Sequence, residues 1–299
     1  MSTPDTATTA PTTAESVGTA TSAPAAAQVV GTEDRDTHPS DLGVDLGSAI
    51  FSLHDPHPGH ERDFNRFYER DHMYAGGTLA PWTIATGRWV ATRGLKALRY
   101  PAQGPFGPAT AGSYLTMFWI QAGRLGDQQA WVSEQMPRLA AHGRTFDDRS
   151  VQTATAYDYL GSAERDVDGV PPYLALDHRY PGQVWAVLER SPDVALADFT
   201  AWLTGDHLPG LLAATPAALA CCFTPRPKEP WWPAAAPEVP GVGDRVMVAC
   251  FVEDDPRRCW DAVFAGWGDA LAASGRGRAL LVAPFIPTVI GTDRYADEL

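Results

Sequence analysis

Two histidines close the same short pattern. Asp63 to Tyr74 reads DFNRFYERDHMY and Asp198 to Gly210 reads DFTAWLTGDHLPG. At a constant offset of 135 residues, Phe64 meets Phe199, Phe67 meets Trp202, Tyr68 meets Leu203, and Asp71-His72 meets Asp206-His207. An imidazole takes or gives a proton near neutral pH without strong tuning, so His72 is the first candidate general acid or base. Tyr68, one helical turn before it, and Tyr74, just after it, are the candidate hydrogen-bonding partners. Asp71 cannot share its face, because adjacent helical residues point about 100° apart. The plainer reading of both histidines is a helix cap, a cation being favoured at that end. It weighs more on His207, where Leu208-Pro209 replaces Met73-Tyr74, although His207 also stands as a candidate substrate contact.

Further candidates lie on either side of this pattern. In SAIFSLHD, from Ser48, Ser52 and His54 alternate with Phe51 and Leu53 and are expected to face away from the helices, into a cavity. The matching run, QVWAVLER from Gln183, offers Val187 and Glu189 at the same offset. His54 and Glu189 facing one cavity would make an acid/base pair, with Ser52 and Glu189 as substrate contacts. After His72, the tract YAGGTLAPWTIATGRW supplies Trp82 and Trp89 as flat apolar walls and Arg88 as a group for a carboxylate or phenolate. Gly76 and Gly77 are expected to end the helix and let backbone approach a ligand. The second copy of this tract shrinks to LPGLLAATPAALACC, so the working site is expected in the first half.

The elements that position these residues repeat as well. Strand and helix periodicities run β-α-β-β-α-β over residues 46–161 and again over 182–299, with residues 162–181 as a polar linker. This is the ferredoxin-like split unit, an antiparallel sheet with both helices on one face. Two such sheets can cover each other's bare faces. The predicted fold is therefore α+β, two ferredoxin-like units packed sheet to sheet as an intramolecular pseudo-dimeric α/β barrel with a cavity between the sheets. The loop from Pro225 to Gly243, with six prolines and Trp231-Trp232, is expected to be irregular.

Composition excludes several classes. A net charge of -13 with no Lys/Arg-rich stripe argues against nucleic acid as a partner. No apolar run approaches the roughly 20 residues of a membrane-spanning helix. Residues 1–45 hold no aromatic side chain and read as a disordered tail without the features of a secretory signal, so the cytoplasm is the expected compartment. Cys221, Cys222, Cys250 and Cys259 lack zinc-ligand spacing and read as buried free thiols, and no metal site is expected.

A short strand, a helix with an F-x-x-[FYW]-[YL] core, and Asp-His at its end before Gly or Pro resemble the EthD-type branch of the dimeric α/β barrel superfamily. The resemblance covers nearly all of residues 46–299, in two copies. It implies a helix-terminal histidine opening toward the barrel, as His72 and His207 would. Relatives include cofactor-free monooxygenases, cyclases, decarboxylases, isomerases, aldoxime dehydratases and haem enzymes. The Gly-x-x-Asp-Gly signature of dye-decolourising haem peroxidases is absent from both copies. The expectation is an acid-base enzyme needing no cofactor, acting on a small apolar, aromatic or polyketide-like molecule. The alternatives are a haem-binding barrel and a non-catalytic ligand-binding barrel, and further self-association is left open.

Overall fold

Alternation sets the two faces of the first strand, β1 (Leu46–Pro56). On one face Ala49, Phe51 and Leu53 are fully buried. Phe51 packs on Trp119 and Tyr157 from its own half and on Trp185 and Phe223 from the other. That face lines a barrel. In the computed structural model, which describes residues 43–213, 215–229 and 240–299, seven more barrel strands follow. They are β2 (Thr83–Val90), β3 (Tyr114–Gln121), β4 (Arg149–Glu164), β5 (Gly182–Arg190), β6 (Ala217–Pro225), β7 (Arg245–Val252) and β8 (Gly277–Pro287). They close in the order β1-β3-β2-β8-β5-β7-β6-β4, antiparallel throughout.

Two strands sew the halves together. β4 pairs with β1 along its first part and with β6 from Tyr157 to Glu164, and β8 returns Ile286 and Pro287 to β2. The α+β pseudo-dimeric barrel expected from the repeat is the fold observed. Its helices lie outside the sheet. α1 (Glu61–Phe67) runs on as π-helix through Tyr68–His72 and Tyr74–Thr78, and α2 (Leu125–Ala141) completes the first half. α3 (Leu196–Trp202), π-helical Leu203–His207 and α4 (Trp267–Ala273) serve the second.

Among the described residues, the space between the sheets where a cavity was expected is filled. Phe51, Trp119, Tyr157, Trp185, Phe223, Phe251 and Phe285, none of them appreciably exposed, fill the lumen as its core. Because that core is apolar, the polar face of β1 turns the other way. Ser52 and His54 face the helices, where the His54 ring meets Phe64 and Tyr68 at centroid distances of 5.8 and 5.6 Å. Val187, matched to Ser52 by the sequence offset, belongs to the lumen core with Trp185. A one-residue slip between the strand copies flips every side chain, so the helix offset does not carry back into the strand.

Three other expectations change. Gly76 and Gly77 do not stop the helix but sit in its second π-helical segment. A Cβ on Gly77 would collide with the Phe118 ring, so this glycine serves close helix-to-sheet packing. The region expected to be a linker begins with the end of β4 and then caps the barrel. Pro172 O accepts from Trp119 Nε1 at 3.0 Å, and Tyr180 is buried against Phe251. Residues 43–45 are anchored rather than part of a tail, since Gln121 Nε2 donates to Gly43 O at 2.9 Å. Residues 1–42 and the Trp231-Trp232 pair lie outside the described residues. The four cysteines are buried free thiols, with Cys221 in the lumen core and Cys222 in the layer outside it. No helix among the described residues is long and apolar enough to cross a membrane.

Candidate functional site

The first half leaves a cleft between its sheet and α2. Ile50, Ala154 and Ala156 form its floor, Val132, Met136 and Ala140 of α2 its roof, and Phe67 and His72 one wall. Small side chains on β4 open the gap. Its volume is about 690 Å³, and a smaller chamber of about 200 Å³ adjoins it behind His72, reaching Ser52, Tyr68, Gly76, Phe118 and Gln128. Arg144 and Arg149 stand at the cleft's rim, and no Asp or Glu among the described residues lines either space. In size and apolarity this is an ordinary small-molecule site.

His72 occupies the boundary between the two spaces. Its ring stacks on Phe67 at 5.1 Å and meets the Tyr68 ring edge-on at 5.2 Å. Nδ1 is buried without a hydrogen-bond partner, on the Gly76 side, so Nε2 is the nitrogen a ligand in the cleft can meet. Burial, then the nearby Arg149 guanidinium, pulls its pKa down to about 4. π-helical turns recur at functional sites, and here they place this imidazole at the cleft wall.

Behind it lies His54, whose Nε2 is hydrogen-bonded to Ser52 Oγ. Burial, then Arg149, His72 and Arg88, holds its pKa down to about 3. Both rings are therefore neutral in the folded chain at pH 6.5, where unfolded histidine is half protonated. The unfolded state takes up more protons as pH falls, so stability present above pH 6.5 is lost between there and about pH 4 to 3. We expect the unfolding free energy from urea titration to be about 3 kcal/mol lower at pH 5 than at pH 7. A flat profile across that window would mean that the two imidazoles are solvated.

The structure brings together Ser52, His54, Tyr68 and His72, and disperses the remaining candidates. Tyr74 is exposed. Trp82 is half-buried beneath the Arg124 guanidinium, 4.4 Å from its ring centre. Trp89 belongs to the lumen core, 6.1 Å from Phe251. Arg88 is committed to Glu69 Oε1 at 2.8 Å and Asn65 Oδ1 at 2.6 Å, both buried, rather than to a ligand. Glu189 cannot pair with His54, because it is bound to Arg278 at the far end of β5. In the second half Leu203, Leu208, Phe264 and Leu271 fill the layer outside the sheet, and His207 Nε2 accepts from Trp267 Nε1 at 2.9 Å.

Arg149 and Gln128 were missed. Gln128 shares a helical stripe with Val132 and Met136, and a polar residue on an apolar stripe was the available signal. Arg149 sits at the start of β4, where nothing in the sequence separates it from a solvated charge. Arg144, also at the rim, holds both oxygens of Asp71 at 3.1 Å.

No family model matches the chain. No curated protein matches it either. Solved structures do. A protein provisionally described as a chlorite dismutase aligns at TM-score 0.50 and 12% identity, over 85% of this chain and 100% of its own. The chain has the fold of the dimeric α/β barrel superfamily. A Rhodococcus jostii DypB variant in complex with heme aligns at TM-score 0.45 and 10% identity, over 83% and 95%. A Fusobacterium nucleatum protein provisionally described as a monooxygenase aligns at 0.43 and 7%, over 83% and 98%. The first of these alignments supports the barrel fold and lends nothing to the EthD branch. The expectation of a chain without a cofactor finds no support among them, the DypB variant being in complex with heme. At such identities the likeness is one of fold, and the fit of haem rests on this chain's own residues.

Those residues fit in three respects. The cleft is large and apolar, it carries a neutral imidazole with Nε2 available, and Arg149 at its rim, its Nη1 without a partner among the described residues, matches a carboxylate. Metal binding needs histidine neutral, which burial ensures here.

Proposed function

We propose that the chain is a haem-binding α/β barrel whose working site is the first-half cleft, where His72 Nε2 would hold the iron. The observation that carries this reading is a neutral histidine on the wall of an apolar cleft of about 690 Å³, where the second copy packs its histidine against Trp267. Phe67 would orient the imidazole by stacking, and Ile50, Val132 and Met136 would enclose the apolar body and exclude water. Arg149, whose Nη1 is buried without a partner among the described residues, would meet a carboxylate at the rim, Arg144 being held by Asp71. Haem, when bound, supplies one-electron and oxygen chemistry.

One observation favours a second reading, a barrel that binds an apolar ligand without metal. A metal-ligating histidine normally donates its other ring N–H to an acceptor, and His72 Nδ1 has none. The EthD-type pattern around His72 accords with either reading. Titrating the purified apo-chain with haem separates them. A Soret band that shifts and saturates at one equivalent supports haem; saturable binding of a naphthalene probe with no such band supports the second reading.

A further inference from the structure

The small chamber behind His72 contains an uncommitted hydrogen-bond donor. Gln128 is fully buried, its Oε1 accepts from Gln129 Nε2 at 2.7 Å, and its Nε2 has no partner among the described residues. In this arrangement the N–H₂ end is the free one. Unpaired buried donors are rare and costly.

Ser52 adds a second donor. Its hydroxyl is bonded to His54 Nε2, and His54 Nδ1 is buried without a partner. If Nδ1 carried the proton, the fold would hold an orphaned N–H; with the proton on Nε2 it holds only an unused lone pair. The latter costs less, so Nε2–H donates to Ser52 Oγ and the Ser52 O–H is free to turn into the chamber. Among the described residues no carboxylate lines the chamber or the adjoining cleft, Arg149 stands at the rim, and the nearby Asp71 is held by Arg144.

We infer that the chamber is an acceptor-selective subsite, in which the Ser52 hydroxyl and the Gln128 amide receive a carbonyl or carboxylate group presented from the cleft. The inference rests on the cleft being a ligand site, and it adds what that reading leaves open, the polar end of the ligand. The acceptor can belong to the cleft ligand itself or to a separate small carboxylate; the chemistry is the same.

The test compares 2-naphthylacetate with 2-ethylnaphthalene, a hydrocarbon of similar shape, by calorimetric titration of the full chain. Competition by acetate distinguishes the two sources. In the wild type the acid is expected to bind about tenfold or more tighter than the hydrocarbon, the worth of a hydrogen bond to a charged group. Gln128→Met and Ser52→Ala should each reduce that advantage while leaving hydrocarbon affinity unchanged, with melting temperatures confirming that both variants fold. Displacement of naphthylacetate by millimolar acetate would assign the subsite to a separate small carboxylate, and the absence of displacement to the cleft ligand's own head group. Equal binding of acid and hydrocarbon would overturn the inference and leave the chamber to water. An advantage surviving both variants would overturn it too, giving the anion to the rim arginines. If the hydrocarbon itself does not bind, the cleft reading fails and this inference falls with it.

Discussion

His72→Ala is expected to weaken haem binding by about 10²-fold or more and to abolish the shifted Soret band. Loss of an outer partner of a ligating histidine already costs about 10- to 100-fold in metal affinity, and here the ligand itself is removed. The contrast that gives the result meaning is His207→Ala. His207 accepts a hydrogen bond from Trp267 Nε1 and stacks on Trp202 at 4.5 Å, inside a filled layer. Removing it leaves the N–H of a buried indole unpaired and costs about 1–3 kcal/mol of stability, with no change in haem affinity. Spectral titration and urea midpoints on both variants check the pair. Equal loss of haem binding would place the site across both halves, and intact binding in His72→Ala would remove this histidine from it.

How much of this was legible in the sequence follows from what each signal measures. The helix pattern ending in Asp-His, and its recurrence, report local periodicity and a duplicated core, so the barrel and the element order could be read directly. Alternation in a strand separates two faces but does not say which of them meets the helices. Ser52 and His54 were aimed at the wrong side of the sheet because the apolar Phe51 and Leu53 between them were assigned to the helix side, whereas they belong to the filled lumen. Trp89 and Trp82 looked like pocket walls because the sequence shows aromaticity but not which aromatic fills the lumen and which lies beneath Arg124. His72, Tyr68 and Ser52 do meet at one place. The cleft that joins them depends on Ala154 and Ala156 being small opposite Val132 and Met136, a relation between distant elements that no local window contains.

Arg88→Met is expected to be the most destabilising single change, at about 3–5 kcal/mol, because it leaves a buried carboxylate without its counter-charge. Arg88 Nη1 bonds Glu69 Oε1 and Asn65 Oδ1, and its guanidinium lies 4.1 Å from the Tyr114 ring centre. Glu69 Oε2 accepts from Gly291 N at 3.0 Å, and Asn65 Nδ2 donates to Thr292 O at 2.8 Å. This pair therefore ties β2 to the helix bearing His72 and to the segment after β8. Taking two charges out of water is itself expensive, so the pair contributes little net stability; what is costly is breaking it. The double variant Arg88→Met with Glu69→Met should accordingly recover most of the loss. Urea denaturation of the two single variants and the double checks the coupling. A double variant as unstable as the sum of the singles would mean that packing on Tyr114, rather than the ion pair, is what Arg88 supplies.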